Sequence, residues 1–239
     1  MGIPPAIAAV APDGHPTPAQ RRRILIDLCR RRILIDLCRR RIRPGTGSSV
    51  EFLRRRTAMN PWPDLRPILQ GIRWAITGGV ATRAYMPERV TQDLDILVRR
   101  QDGDEVRRRL EGAGYCYVSP LAVPGFVVRS SEGVEVDVFL GDAPWVEEAL
   151  AQPRHDLAGY PVLDLPYLVL MKMASSRAQD VADTTRMLGL ASEEELARVR
   201  EAVARYAPQE TEDLESLIYL GQVEMGRVPG TEDAAVVEG

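Results

Sequence analysis

Residues 73–98 constrain the fold of this chain more than any other stretch. Arg73-Trp74-Ala75-Ile76-Thr77 is a short apolar run that ends on Gly78-Gly79, and Val80 to Tyr85 then reads as a helix start. Fourteen residues after Gly79, Asp93-Leu94-Asp95-Ile96-Leu97-Val98 alternates polar and apolar residues at the strand period. Successive strand side chains point to opposite faces, so Asp93 and Asp95 project together while Leu94 and Ile96 project the other way. Glycine at the intervening turn lets backbone N–H groups approach an anion with no side chain between them.

The rest of the chain supplies partners for this unit. Phe126 to Arg129 and Val134 to Phe139 form a predicted hairpin across Ser130 to Gly133. Asp137 on its second strand is flanked by apolar residues, and Glu135 shares its face and competes for the same role. Three carboxylates converging on one sheet face repel one another unless a cation joins them, which argues for bound Mg²⁺. Two such ions can organise an in-line displacement at phosphorus.

Further elements follow the same reading. Asp64 to Gln70 predicts a short helix, Asp104 to Gly112 a helix, Pro144 to Ala151 another, and Tyr160 to Leu163 an edge strand. Pro166 to Leu188 is one long helical stretch or two abutting ones. Ser192-Glu193-Glu194-Glu195 has the form of a capping box leading a helix to Tyr206, and Pro208 to Gly226 supports one more. The expected class is α/β (α+β): a small mixed β-sheet packed by helices, with a mainly helical C-terminal part. The expected divisions are an Arg-rich, flexible extension over 1–58, a catalytic core over 59–142, a helical part over 143–228 and a frayed tail over 229–239.

Charge separates these parts. The net charge of −3 hides a segment 1–56 with 13 Arg against four acids, +9, and a remainder with 17 Arg and one Lys against 30 acids, −12. The basic segment holds a tandem repeat, Arg21 to Cys29 copied as Arg30 to Cys38. A nine-residue shift turns a helix by about half a revolution, so one amphipathic helix cannot bury both apolar blocks. The repeat reads as a duplication or upstream extension whose arginines are candidate nucleic-acid contacts. Cys29, Cys38 and Cys116 make neither a disulfide framework nor a metal cluster. No apolar run approaches the ~18 residues of a membrane span, and the N-terminus lacks the form of a signal peptide, so the expected location is cytoplasmic.

Of the 31 basic residues, Lys172 is the single lysine. Thirty arginines suit a GC-rich coding sequence, which makes Lys172 the place to ask why arginine would not serve. A compact ammonium fits a tight phosphate pocket better than a planar fork does. A leftover codon on a helix surface is the plain alternative.

Gly78-Gly79-Val80-Ala81-Thr82-Arg83-Ala84-Tyr85-Met86-Pro87-Glu88-Arg89-Val90-Thr91-Gln92-Asp93-Leu94-Asp95 resembles the signature of the polymerase-β-type nucleotidyltransferase superfamily, in the variant of AbiEii-like toxin nucleotidyltransferases and their uncharacterised bacterial relatives. Lys172 to Asp183 resembles their Lys-x4-Arg-x2-Asp-x2-Asp helix. The resemblance implies the nucleotidyltransferase fold and Mg²⁺-dependent transfer of a nucleoside monophosphate from an NTP to an acceptor. It implies that Gly78 and Gly79 cradle the triphosphate, that Asp93 and Asp95 bind two metal ions, and that Asp137 is third ligand and base. Lys172 would meet the triphosphate. On one helix Lys172 and Asp183 would share nearly one face, with Asp180 about 80° away, and Arg177, Asp180 and Asp183 would join Lys172 in the nucleotide-binding set, the two acids by orienting Lys172 or Arg177. Arg89 and Thr91 would hold the loop or the nucleotide. Superfamily members more often show Gly-Ser where this chain has Gly78-Gly79, and Thr77 and Thr82 are the candidates to supply the missing hydroxyl.

Acceptor and partner stay open at this level. Toxin relatives modify tRNA, for which the acidic body is poor unless the Arg-rich arm makes the phosphate contacts. A cationic small acceptor such as an aminoglycoside suits that charge better. The competing readings are an inactive nucleotide-binding module and a module that docks on a neighbouring antitoxin.

Overall fold

The computed structural model describes residues 62–87, 91, 93–156, 158–175 and 177–227. The extension expected over 1–58, the tail over 229–239 and Arg89 lie outside the described residues. The fold is mixed α/β with a mostly helical C-terminal part. Its strands are β1 (Trp74–Ile76), β2 (Asp93–Arg99), β3 (Cys116–Pro120), β4 (Gly125–Arg129), β5 (Glu135–Gly141), β6 (Arg154–His155) and β7 (Pro161–Val162). Its helices are α1 (Gly78–Ala81), α2 (Gly103–Gly112), α3 (Val146–Ala151), α4 (Leu165–Ser175), α5 (Ala178–Leu190), α6 (Glu193–Tyr206) and α7 (Thr211–Glu224).

The strands form one sheet in the order β3-β4-β5-β2-β1-β7-β6. Strand β2 lies near its middle, antiparallel to β1 and parallel to β5. The register pairs Ile76 with Ile96 on one side of β2, and Asp93 with Glu135 and Asp95 with Asp137 on the other. Leu94, Ile96, Val98, Val136 and Val138 therefore share the opposite face, where all are buried. Helix α2 packs on that face, where a Cβ at Gly103 would lie 2.9 Å from Leu140 Cδ2. Helix α3 covers the far end of the carboxylate-bearing face, with Val146 against Gly141.

The C-terminal helices pack in pairs, α4 with α6 and α5 with α7. A Cβ at Gly189 would fall 2.3 Å from the Gly221 carbonyl oxygen, and one at Gly221 would fall 2.1 Å from that of Thr185. Glycine at both positions thus sets how closely α5 and α7 approach. Arg227 Nη1 donates to the Gly189 and Ala191 carbonyls, satisfying acceptors that the end of α5 leaves over. Helix α6 opens with the expected capping box, in which Ser192 Oγ accepts from Glu195 N–H and Glu195 Oε2 accepts from Ser192 N–H.

Several expectations are corrected. Asp64 to Gln70 makes turns rather than a helix. The strand expected at Tyr160 to Leu163 is β7, which is not at the edge, because β6 pairs with its outer side. The stretch from Pro166 to Leu188, expected as one helix or two abutting ones, is two, α4 and α5. Strand β3 was not expected, since Cys116, Tyr117 and Val118 are all exposed and give no alternating signal. Among the described residues no helix is long and apolar enough to cross a membrane.

Replacing Gly189 with Ala should lower unfolding free energy by about 1–3 kcal/mol through the clash with α7. Gly112→Ala, where an added Cβ meets nothing within 4 Å, should be neutral or slightly stabilising. Urea denaturation of both variants checks the pair, and equal effects would contradict the helix contact.

Candidate active site

The site begins where β1 runs into α1. Thr77 N–H donates to the Asp95 carbonyl at 2.9 Å, tying the end of β1 to β2. Gly78 follows with φ +60°, a conformation glycine adopts at little cost. A Cβ there would also stand 1.8 Å from Asp95 Oδ2, so the carboxylate occupies the space that a side chain at 78 would fill. Gly79 N–H donates to the same Oδ2 at 3.2 Å. The turn expected to cradle a phosphate is thus first a seat for Asp95.

Strand alternation and the parallel register bring the acids together. Asp93, Asp95 and Asp137 each offer a carboxylate oxygen, and these lie within 4.8 Å of one another. Glu135, the competitor for the third position, is paired instead with Arg129 on β4. Thr91 Oγ1 donates to Asp93 Oδ1 at 2.8 Å and steers that carboxylate. The two threonines considered as hydroxyl donors face elsewhere: Thr77 Oγ1 donates to Met171 Sδ at 3.1 Å, and Thr82 Oγ1 to the Gly79 carbonyl at 2.8 Å.

Crowding of like charge in a partly desolvated place shows in the titration of these groups. Burial, then the Asp93 charge and that of Asp137, push Asp95 up to about 7, against the pull of Gly79 N–H and Arg177. Burial, then Asp93 and Glu135, push Asp137 up to about 6. Three hard oxygen donors at this spacing fit a divalent cation such as Mg²⁺, whose bonds of about 2.0–2.1 Å draw carboxylate oxygens together.

A second charged cluster joins α4 to α5. Lys172 on α4 is 4% exposed, and its Nζ donates to Asp180 Oδ1 at 2.8 Å and Asp183 Oδ2 at 2.9 Å, both on α5. Gln179 Nε2 donates to Asp183 Oδ1 at 2.8 Å, Arg177 Nε to Asp180 Oδ2 at 2.7 Å, and Ser175 Oγ also to Asp180 Oδ2. Burial raises Asp180, but hydrogen bonds from Arg177, Lys172 and Ser175 outweigh it and hold the carboxyl below its usual range. The single-helix stripe expected for Lys172, Asp180 and Asp183 is corrected. Helix α4 ends at Ser175 and α5 begins at Ala178, so the lysine and its two acids join different helices. Ser175 and Gln179 were not singled out from sequence, although Ser175 lies three residues after Lys172 and Gln179 four before Asp183, the spacings of neighbours on a helix.

No family description matches the chain, and no curated protein matches it. Among solved structures, it is similar to the lincosamide antibiotic adenylyltransferase LnuA in lincomycin-bound form, with TM-score 0.37 and 12% identity over 54% of this chain and 92% of that one. It is also similar to the antibiotic-resistance factor ANT(2'')-Ia in solution, with TM-score 0.36 and 18% identity over 62% of this chain and 82% of that one. For ANT(2'')-Ia in complex with adenylyl-2''-tobramycin the values are 0.34 and 18%, over 66% and 90%.

The raised acids give a pH-dependent expectation. In the folded chain without a divalent cation, ionising Asp95 and Asp137 costs stability, and that cost grows as pH rises from about 4, the ordinary carboxylate value, to about 7. A divalent cation held by these acids would bind their ionised form and displace those protons. Added Mg²⁺ should therefore raise Tm more at pH 8 than at pH 5, and Asp95→Asn should remove most of the difference. Equal shifts at both pH values in thermal melts would contradict the site.

Proposed function

We propose that this chain is a nucleotidyltransferase of the polymerase-β type that moves a nucleoside monophosphate from an NTP to an acceptor hydroxyl and releases pyrophosphate. The observation that carries this reading is the meeting of Asp93, Asp95 and Asp137 on one sheet face beside the Gly78-Gly79 turn. Mg²⁺ held there, as two ions, supplies the positive charge that favours an ionised incoming oxygen and a departing pyrophosphate.

The chain's own residues have distinct tasks in this reading. Asp93 and Asp95 are the shared metal ligands, with Thr91 and Gly79 fixing their orientation. Asp137 is the third ligand and takes the proton of the acceptor hydroxyl. Gly78, lacking a side chain, leaves the room that the Asp95 carboxylate takes at the border of the acidic face. The bond from the acceptor oxygen to the α-phosphorus forms as the bond from that phosphorus to pyrophosphate breaks, in line.

Charge bears on the acceptor. Residues 57–239, with 17 Arg and one Lys against 30 acids, sum to −12 and favour a cationic small molecule such as an aminoglycoside. The +9 of residues 1–56 is the feature that favours tRNA, and with it a toxin-like role and an antitoxin partner.

Incubation with Mg²⁺ and each α-labelled NTP, against total tRNA, aminoglycosides and cell lysate, should label one of these acceptors. Asp95→Asn should cut labelling by about 10³-fold, the scale of losing preorganised stabilisation of developing charge. The same variant should melt no lower than the original in EDTA, because it relieves repulsion from Asp93 and Asp137 and its amide oxygen can still accept from Gly79 N–H. Labelling at the original rate by Asp95→Asn would contradict the reading.

A further inference from the structure

The lone lysine of the chain is buried between two acids of α5. Two of its ammonium protons go to Asp180 Oδ1 and Asp183 Oδ2, and its side chain is 4% exposed. The remaining oxygens of those two acids are also engaged, Asp183 Oδ1 by Gln179 and Asp180 Oδ2 by Ser175 and Arg177. Lys172, Asp180, Asp183 and Arg177 sum to zero charge, so each buried ion has a partner. An ammonium can sit between two carboxylates of the facing helix where a planar guanidinium fork is too broad. That explains why lysine stands here in a chain that uses arginine at the other 30 basic positions.

Arg177 differs from Lys172 in every respect that matters for a ligand. Its side chain is 73% exposed, and among the described residues its side-chain hydrogen bond is the one from Nε to Asp180, with the two terminal amino groups making none. It occupies the N-cap of α5, directly across the break from α4. The end of α4 is fixed against the glycine turn, because Met171, next to Lys172, accepts the Thr77 hydroxyl. The charge of Arg177 reaches both Asp95 and Asp93. A guanidinium so placed, with one edge anchored and the other outward, suits bidentate contact with phosphate oxygens.

We propose that Lys172 is a positioning residue which, through Asp180, fixes Arg177 beside the carboxylate triad, and that Arg177 is the cation that meets the triphosphate. The proposal rests on the nucleotidyltransferase reading and changes the part that the resemblance implies for Lys172. Lys172 locks α4 to α5, Asp180 carries that rigidity to the Arg177 Nε, and the outward edge of Arg177 binds the β- and γ-phosphates as the α-phosphorus lies over the acids.

Equilibrium binding of each Mg²⁺-NTP and each nucleoside monophosphate to the full chain tests this. Arg177→Ala should weaken binding of the NTP by roughly 10- to 100-fold, the loss of a charge-assisted hydrogen-bonded pair, and leave the monophosphate within about twofold. Arg177→Lys should recover part of the loss. The charge-conserving double change Lys172→Met with Asp183→Asn should weaken NTP binding about 10-fold alone and not at all further in the Arg177→Ala background. If the double change does not fold, Asp180→Asn gives the same comparison, since it frees Arg177 while retaining the lysine. Unchanged NTP binding by Arg177→Ala, or losses that add in the combined variants, would overturn the proposal while leaving the enzyme reading intact. An original chain that binds none of the four NTPs would overturn both.

Discussion

The parallel pairing of β2 with β5 is the constraint on which the rest of the site depends. Its register sets Asp95 opposite Asp137 and Asp93 opposite Glu135. Because strand side chains alternate, a slip of one residue would set the acids of β2 against Val136 and Val138 and expose the valines of the core face. The buried row of Leu94, Ile96, Val98, Val136 and Val138 therefore enforces the same register that gathers the carboxylates. Packing on one face and repulsion on the other are fixed by one alignment. The glycine turn then closes around Asp95, with its side-chain-free Gly78 and the N–H of Gly79, and keeps a half-desolvated acid in a fixed place.

Much of this was legible in the sequence because it is local. The alternation of residues 93–98 fixes which side chains share a face, and the glycine pair marks the turn. The capping box at Ser192 and Glu195 signals a helix by the same kind of short-range chemistry. What was not legible depends on partners distant in the chain. Glu135 and Asp137 are equivalent by alternation, and the register with β2 and the pairing of Arg129 on β4 with Glu135 distinguish them. The exposed strand β3 and the two-residue β6 have no apolar pattern to announce them, since both owe their form to backbone pairing with a neighbour. The motif from Lys172 to Asp183 has the spacing of one helix, yet the chain breaks within it and uses the ion pairs to join two helices.

That break gives the C-terminal helices a place in the site. Helix α4 is held to the turn through Met171 and Thr77, α5 is held to α4 through Lys172, and α5 is held to α7 through the contact of Gly189 with Gly221. Arg177 stands at the corner of this assembly, anchored by a buried carboxylate and exposed at its other end. A cation at this corner, whose charge reaches Asp93 and Asp95, suits a ligand composed of phosphates and divalent ions.

The central claim is that this acidic face holds divalent ions together with a nucleotide. Titration with Mn²⁺, followed by its electron paramagnetic resonance signal with and without NTP, tests it most directly. The account predicts that NTP tightens Mn²⁺ binding, that Mn²⁺ tightens NTP binding by the same factor, and that Asp93→Ala abolishes both effects. Mn²⁺ binding that is indifferent to NTP, or that persists unchanged in Asp93→Ala, would contradict it.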